Sequence, residues 1–325
     1  MATDQIQTIV VLGAGASRSV SYANKGGYPS PLDADFFDLL QRVEAGEHDG
    51  PAVKSVLEHV RRLSPDHWRS MERAFYTLQL RAYLYEKLTG TSADTSDTEV
   101  VANFARCVQC LLRKAHGKDI CSFHQDLLRQ LGNVDTVITF NYDLVAERAL
   151  RETAEKRRIS FSSGLYGWSG TWKRDLPLVL KLHGSSNWKI KEGGKISVRT
   201  RAWDDFDNSP GYRGHVGQGT EFPIFLPFWD KRIEKQPWLS LWQQAYNRLL
   251  VCDRLIVWGY SMPPTDIKAS SLFTLALGAR AIDLCVIDPS QASRERWRQL
   301  LPKARYWEYD GIRDFKKEAP SWWIA

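Results

Sequence analysis

Apolar and polar residues follow two patterns along the chain, and these patterns predict strands that alternate with helices. Ile9-Val10-Val11-Leu12 is a short, continuous apolar run that ends at a glycine, which is typical of a strand buried on both faces of a parallel sheet. Helices are predicted where apolar residues recur every three or four positions. The alternation predicts an α/β fold with a doubly wound parallel sheet and helices on both faces. The other predicted strands are 136–139, 178–182, 254–258, 282–287 and 304–308, and the helices of the C-terminal third are 238–250, 265–277 and 290–300.

Two interruptions of this alternation predict two insertions. Apolar residues keep helical spacing over a long stretch that includes Met71 to Tyr85, so residues 36–131 are predicted to form a large helical insertion. Residues 186–222 show only weak alternation and predict a small β-rich or loop insertion. The core is then built from residues 1–35, 132–185 and 223–325.

Charge and hydropathy exclude some functions. The 325 residues carry a formal net charge of +6, but the densest basic run, Lys156-Arg157-Arg158, is only three residues long. Segments that bind nucleic acid usually have longer basic runs, so direct nucleic-acid binding is not expected. No stretch approaches the ~18 consecutive apolar residues of a membrane span. Residues 1–7 lack the basic start and apolar run of a signal peptide, and a cytoplasmic protein is predicted.

The cysteines do not form a pattern that predicts a metal site. There are five, of which Cys107 and Cys110 form a lone Cys-x-x-Cys inside a run with helical spacing. A structural zinc site needs four ligands, usually supplied as pairs on turns, and the remaining cysteines provide no second pair. We therefore expect buried packing cysteines and no zinc.

A glycine-rich turn, Gly13-Ala14-Gly15-Ala16-Ser17, directly follows the first predicted strand. Glycines allow a tight turn and a close approach of the backbone, while free N–H groups of the next helix attract a pyrophosphate. The side chain of Ser17 could add a hydroxyl donor. No third glycine completes the dehydrogenase fingerprint, and Asp33 and Asp35 open a helix instead of binding a ribose, so an ordinary dehydrogenase is disfavoured. A plain strand-to-helix turn remains the alternative.

Polar side chains at two further strand ends are candidates for catalysis. Asn141 follows the strand 136–139 and could hold a ribose hydroxyl or orient a water, although a turn or cap role is equally consistent with its position. Asp143 stands where it could cap the next helix, and it is also a candidate cofactor-binding residue. His183 is the only one of seven histidines that ends a predicted buried strand and precedes a glycine. Its ordinary pKa of about 6.5 suits a general base.

The last two strands of the predicted crevice also end in polar or small residues. Gly259 and Ser261 follow the strand 254–258 and could approach the adenosine half of a nucleotide. Asp288 ends the strand 282–287 and could accept a hydrogen bond from a ribose hydroxyl. Ligands of doubly wound sheets bind beyond the carboxyl ends of the strands, which is where all these residues are expected to lie.

Taken in order, these motifs resemble the sirtuin superfamily, and specifically the sirtuin-like domains of bacterial antiphage defence. The resemblance covers about residues 9 to 290 without the insertions. It implies a Rossmann-like NAD site with Gly13, Ala14, Gly15 and Ser17 near the phosphates. It also implies that Asn141 and His183 act at the nicotinamide ribose. The matching segments are Gly13-Ala14-Gly15-Ala16-Ser17, Thr139-Phe140-Asn141-Tyr142-Asp143, Leu182-His183-Gly184-Ser185, Gly259-Tyr260-Ser261 and Val286-Ile287-Asp288-Pro289.

Protein deacetylases of that superfamily have a zinc ribbon with two cysteine pairs, which this chain lacks. The resemblance therefore implies the defence branch, which hydrolyses NAD to ADP-ribose and nicotinamide. ADP-ribosyl transfer, NAD-dependent deacylation and a non-catalytic NAD or ADP-ribose sensor are the alternatives. Control by self-assembly or by a separate defence protein, such as a helicase-like ATPase or an Argonaute-type protein, is also implied. Trp322-Trp323-Ile324 is a candidate contact, or else packs on the body of the protein.

Overall fold

Six parallel strands form the central sheet, in an order that identifies a doubly wound fold. The strands are β1 (Thr8–Leu12), β2 (Thr136–Thr139), β3 (Leu178–Lys181), β6 (Arg254–Trp258), β7 (Asp283–Ile287) and β8 (Arg305–Tyr309). They lie in the order β3-β2-β1-β6-β7-β8, and every neighbouring pair is parallel. The chain thus builds the sheet outwards from β1 in one direction and then, after returning, in the other. This is the Rossmann strand order, and it confirms the predicted fold class.

The computed structural model describes most of the chain. A small antiparallel ribbon pairs β4 (Trp188–Ile190) with β5 (Ile196–Val198), and most of the rest of the predicted insertion 186–222 lies outside the described residues. None of the helices in the described part is both long and apolar enough to cross a bilayer. The residues described are 6–19, 28–44, 46, 49–90, 95–116, 120–159, 165–166, 175–190, 196–198, 233 and 236–323.

Some helices cover the sheet, and others form a separate layer. The helices are α1 (Ala14–Arg18), α2 (Phe36–Arg42), α3 (Gly50–Arg61), α4 (Pro65–Trp68), α5 (Met71–Thr89), α6 (Thr95–Ala115), α7 (Ser122–Leu128), α8 (Val145–Lys156), α9 (Trp238–Leu250), α10 (Ile267–Leu277), α11 (Gln291–Leu300) and α12 (Ile312–Glu318). Several begin at side-chain caps that the sequence supplies. The Ser70 hydroxyl accepts the N–H of Arg73 at the start of α5, and Asp266 accepts the N–H of Ala269 at the start of α10.

The buried apolar residues form two separate cores. The larger one surrounds the sheet, whose strands β1, β2, β3 and β7 are buried at every residue. The second lies within α2–α6, which we call the helical layer, and includes Leu144 from the start of α8. Residues Leu127 and Leu128 of α7 pack in the core around the sheet. This helix therefore belongs with the sheet, although the sequence-based boundary placed it in the helical insertion.

All five cysteines are buried and unpaired. Cys107 and Cys110 lie on α6, and both pack in the core of the helical layer. Burial raises the pKa of both thiols, so they remain protonated at neutral pH. The prediction that they are packing residues is confirmed. Within the described residues, no group of three or more His, Cys, Asp or Glu side chains is arranged to hold a metal ion.

The buried His124 predicts a loss of stability in acid. Its ring lies 4.3 Å, centroid to centroid, from that of Trp258, and burial lowers its pKa to about 3. The unfolded chain, with an ordinary pKa of about 6.5, takes up a proton first, so stability is complete above that pH and falls as the pH is lowered towards 3. At 1.36 kcal/mol per unit, this histidine is expected to cost about 2 kcal/mol between pH 7 and pH 5.

The measurement is urea unfolding at the two pH values for the wild type and His124→Phe. Phenylalanine keeps a ring against Trp258 but cannot be protonated. The variant is expected to lose about 2 kcal/mol less stability on acidification than the wild type. An equal loss in both proteins would show that this side chain does not cause the acid sensitivity.

Candidate active site

The strand ends are in register, and this brings the sequence motifs to one edge of the sheet. Leu12 pairs with Thr139 of β2 and with Trp258 of β6, and Thr139 pairs with Lys181 of β3. The motifs that follow these residues therefore start at the same level along the strand direction. From β1 the chain adds β2 and β3 on one side of the sheet, and later β6, β7 and β8 on the other side, so the strand order reverses between β1 and β6. The crevice at such a switch point is where doubly wound folds bind ligands.

Close backbone contact between the ends of β1 and β6 explains the glycines at the switch point. A Cβ on Gly13 would lie 2.4 Å from the carbonyl oxygen of Gly259, and one on Gly259 would lie 2.1 Å from the nitrogen of Ala16. Gly259 also has a φ of 64°, a left-handed conformation that favours glycine. Only residues without a side chain allow the two turns to touch in this way.

Three N–H groups of the glycine turn are used within the protein. The N–H of Gly13 donates to Trp258, that of Gly15 donates to Gly259, and that of Ala16 donates to Gly13, at 2.9–3.1 Å. This differs from the expectation that free N–H groups of this turn would hold a pyrophosphate. The reason is the neighbouring strand, since Trp258 and Gly259 at the end of β6 come close enough to accept two of these hydrogen bonds, while the third closes the turn itself.

Asn141 is bonded to the glycine turn. Its Nδ2 donates to the carbonyl oxygen of Gly13 at 2.8 Å and to Oγ of Ser17 at 3.2 Å. The Ser17 hydroxyl in turn donates to Oδ2 of Asp143 at 2.7 Å, so the predicted hydroxyl donor is already engaged. Within the described part of the chain, Oδ1 of Asn141 accepts no hydrogen bond. That oxygen is the atom of Asn141 that remains to contact a ligand.

Asp143 opens α8, the structural role expected for it. Its Oδ1 accepts the N–H of Val145 at 3.0 Å. Burial by itself would raise the pKa of Asp143, but the nearby His116 and Lys181, together with hydrogen bonds from Ser17 and Val145, lower it below its usual value. The carboxylate is therefore ionised at neutral pH and fixes the hydroxyl of Ser17.

A buried lysine, Lys181, contacts both Glu147 of α8 and the backbone of Asp143. Nζ of Lys181 lies 2.8 Å from Oε1 of Glu147 and donates to the carbonyl oxygen of Asp143 at 2.6 Å. The hydroxyl of Tyr166 donates to the same Oε1 at 3.1 Å. Sequence analysis did not identify this cluster. The signal was Lys181 itself, a charged residue at the end of an otherwise apolar strand, because a buried lysine requires a partner.

His183 follows β3 and is held by a carboxylate that sequence analysis also missed. Nε2 of His183 lies 3.0 Å from Oδ2 of Asp266, and the hydroxyl of Tyr260 donates to the same oxygen at 2.8 Å. The side chains of His183 and Asp266 are 3% and 0% exposed, so the pair is screened from water. Asp266 comes just before α10, although the sequence analysis placed it inside the predicted helix 265–277, and no local sequence pattern indicates a histidine partner.

Aromatic rings surround the imidazole. The ring of Phe140 meets that of His183 edge-on at 4.9 Å and stacks on Tyr260 at 3.9 Å. The ring of Tyr142 lies 6.3 Å from the imidazole and packs against the core of the helical layer. In the same layer Glu72 accepts a hydrogen bond from Thr265, next to Asp266. The helical layer therefore contacts the residues around His183.

Ser261 and Asp288 lie at the same edge, where the contacts observed are with α11. The carbonyl oxygen of Ser261 accepts from Nε of Arg296 at 2.9 Å. Oδ1 of Asp288 accepts the N–H of Ser290, and its carbonyl oxygen accepts from Arg294. Asp288 thus shapes the turn into α11. Its role towards a ribose hydroxyl stays a prediction, as do the ligand contacts of Gly259 and Ser261.

A cavity of about 630 Å³ lies at the opposite, amino edge of the sheet. Its lining includes Thr8 and Arg254 at the starts of β1 and β6, so it is separate from the candidate active site. Trp322 and Trp323 also line it, and both pack against the core around the sheet. These two tryptophans therefore pack on the body of the protein, which was the alternative to a contact with a partner. Ile324 lies outside the described residues.

Comparison with known proteins finds similarity only among solved structures. No protein-family model matches the chain, and no curated protein matches it. A Sir2 homologue in complex with NAD is 16% identical, with a TM-score of 0.43, covering 96% of this chain and 90% of the other. A Sir2 complex with an inhibitor, 2′-O-acetyl-ADP-ribose and a deacetylated p53 peptide is 12% identical, with a TM-score of 0.39, covering 95% and 90%. A third structure, described as a basis for the mechanism and regulation of Sir2 enzymes, is 12% identical, with a TM-score of 0.40, covering 96% and 92%.

Proposed function

We propose that the protein is a sirtuin-like NAD glycohydrolase that cleaves NAD to ADP-ribose and nicotinamide. The observation that carries the proposal is the arrangement of three consecutive strand ends. The glycine turn follows β1, Asn141 follows β2, and His183, which pairs with Asp266 from the start of α10, follows β3. A base and an amide oxygen therefore stand beside the switch point at which dinucleotides bind in this architecture.

In this proposal NAD lies across the ends of β1 and β6. Gly13, Ala14 and Gly15 allow the pyrophosphate to come close to the backbone, although most of their N–H groups are used elsewhere. Gly259 and Ser261 face the adenosine half, and Asp288 accepts from a ribose hydroxyl. Asn141 and His183 then face the nicotinamide ribose, which is the end of NAD that reacts.

The reaction breaks one C–N bond and forms one C–O bond. The glycosidic electron pair leaves with nicotinamide, which becomes neutral without protonation, and positive charge gathers on the ribose in the transition state. Water adds to the anomeric carbon, positioned by Oδ1 of Asn141. His183 takes the proton from this water, directly or through a ribose hydroxyl, and releases it to solvent. The products are ADP-ribose, nicotinamide and one proton.

The cysteines favour hydrolysis over deacylation. The sequence resemblance associates deacylation with a zinc ribbon of two cysteine pairs, whereas all five cysteines here are buried packing residues. Incubating the purified protein with NAD and analysing the products tests the proposal. Free ADP-ribose and nicotinamide in equal amounts are expected. ADP-ribose attached to protein or nucleic acid, or acyl transfer from an acetylated peptide, would contradict it, as would an absence of turnover both in the protein alone and in the presence of the products of neighbouring genes.

Asn141→Ala is expected to lower kcat/KM for NAD by about 10²-fold, because it removes the oxygen that positions the water and the amide that holds the glycine turn. Initial rates of nicotinamide release measure the effect, and circular dichroism with thermal unfolding shows whether the variant is folded. Turnover at the wild-type rate in the folded variant would remove Asn141 from the mechanism.

We further propose that the enzyme is a cytoplasmic antiphage effector whose activity is restrained until a trigger arrives. Uncontrolled NAD hydrolysis would harm the host, so control by self-assembly or by a separate defence protein follows from the proposed reaction. Assays with and without the products of neighbouring genes, together with measurement of the assembly state, test this. Full activity of the monomer without any partner would contradict it.

A further inference from the structure

We infer that Asp266 is a positioning residue that keeps a proton on Nε2 of His183, which makes Nδ1 the basic nitrogen of the site. The role of Nδ1 in catalysis rests on the proposed function, but the position of the proton can be measured without NAD.

The hydrogen bonds of Asp266 carry the inference. The residue is 1% exposed, and both of its oxygens accept hydrogen bonds. Oδ1 accepts the N–H of Ala269 at 3.3 Å, while Oδ2 faces Nε2 of His183 at 3.0 Å and accepts from the hydroxyl of Tyr260. The hydroxyl of Tyr260 and the N–H of Ala269 are donors, and two such hydrogen bonds stabilise the buried carboxylate as an anion.

An ionised carboxylate can only accept hydrogen bonds, and this fixes the tautomer of the imidazole. Nε2 must carry the proton that it shares with Oδ2 of Asp266. In a neutral imidazole with a proton on Nε2, the lone pair that can accept a proton is on Nδ1. Asp266 also stabilises the imidazolium that forms when Nδ1 accepts a proton, as a carboxylate does in other histidine-based sites.

Surrounding groups hold Asp266 in this geometry. Burial and the adjacent carboxylate raise the pKa of Tyr260, so its hydroxyl remains a donor. The ring of Tyr260 is fixed between Phe140, on which it stacks, and Trp297, whose Nε1 donates to its carbonyl oxygen. Thr265, the neighbour of Asp266, is bonded to Glu72 in the helical layer. The carboxylate therefore has little freedom to turn away from the imidazole.

Asp266→Asn tests the inference because it changes the charge and leaves the shape. Asparagine is an equally good cap, and its oxygen must face the N–H of Ala269 to keep that role. The amide nitrogen then faces His183 and donates to Nε2, which forces the proton onto Nδ1. The variant is expected to fold, to lose about 10²-fold in kcat, and to keep its KM for NAD nearly unchanged.

The ring protons are followed by NMR of protein labelled with ¹⁵N-histidine, with the His183 signals assigned by comparison with His183→Ala. In the wild type at a pH at which the ring is neutral, the proton is expected on Nε2. In Asp266→Asn it is expected on Nδ1. If the tautomer is the same in both proteins, the inference is wrong, whether or not the protein cleaves NAD.

Tyr260→Phe provides the matched control. It removes one hydrogen bond to Oδ2 but keeps the ring that stacks on Phe140, so the tautomer should not change and the loss of kcat should be below tenfold. An equal loss in the two variants would assign the effect to general disruption of the cluster and would overturn the inference. If the wild type does not cleave NAD while the tautomer follows Asp266, the proposed function fails and the positioning of His183 stands.

Discussion

His183→Ala is expected to lower kcat/KM for NAD cleavage by about 10⁴-fold, the upper end of what a positioned general base contributes. The large effect follows from the surroundings of the imidazole, which is buried among aromatic rings and held by Asp266. Rates of nicotinamide release from NAD by the purified variant measure the effect.

The fold of the variant must be checked, because the substitution removes a partner of a buried carboxylate. Loss of one such hydrogen bond costs about 1–3 kcal/mol, which thermal unfolding will detect but which should leave the protein folded. His59→Ala is the matched control. His59 lies on α3, and among the described residues its side chain hydrogen-bonds to the carbonyl oxygen of Ser55 in its own helix, so its removal should not change turnover. Wild-type turnover in folded His183→Ala would refute the proposed mechanism.

The sheet could be predicted from sequence because each of its strands is a local signal. Strands 136–139 and 254–258 match the structure residue for residue, since each contains a short apolar run that is buried in the sheet, and the second run ends at Gly259. The boundary of the helical insertion was less accurate. Helical spacing shows that α7 is a helix, but whether it packs with the sheet or with the helical layer depends on contacts that periodicity does not encode.

The candidate site was predicted only in part, for a similar reason. Strand ends identified Asn141 and His183, because parallel strands bring their carboxyl ends to one edge. The partners of these residues come from elsewhere in the chain. Asp266 caps a helix, and Glu147 lies on α8, so neither stands at a strand end. Pairing a buried lysine or histidine with a distant carboxylate requires knowledge of the packing.

Gly259→Ala is expected to lower the free energy of unfolding by about 2–5 kcal/mol and to abolish NAD cleavage. A left-handed conformation costs an ordinary residue about 1–2 kcal/mol, and forcing a methyl group into a filled space costs about 1–3 kcal/mol more. The new Cβ would lie 2.1 Å from the nitrogen of Ala16 and 2.3 Å from the carbonyl carbon of Gly15, both backbone atoms that cannot rotate away. The turn after β1 must therefore separate from the end of β6.

Gly90→Ala separates the two causes. Gly90 ends α5 with a φ of 67°, nearly the same as the 64° of Gly259, but a Cβ there would meet nothing within 4 Å. The free energy of unfolding of this variant should fall only by the cost of the left-handed conformation, about 1–2 kcal/mol, and its activity should be unchanged. Urea unfolding and NAD turnover of both variants test the comparison. The greater loss of stability in Gly259→Ala follows from the contact of its methyl group with the turn after β1. Its loss of activity follows because the carbonyl oxygen of Gly13 holds Asn141 and moves with the displaced turn. Equal losses of stability in the two variants would show that contact between these strand ends does not hold the site together.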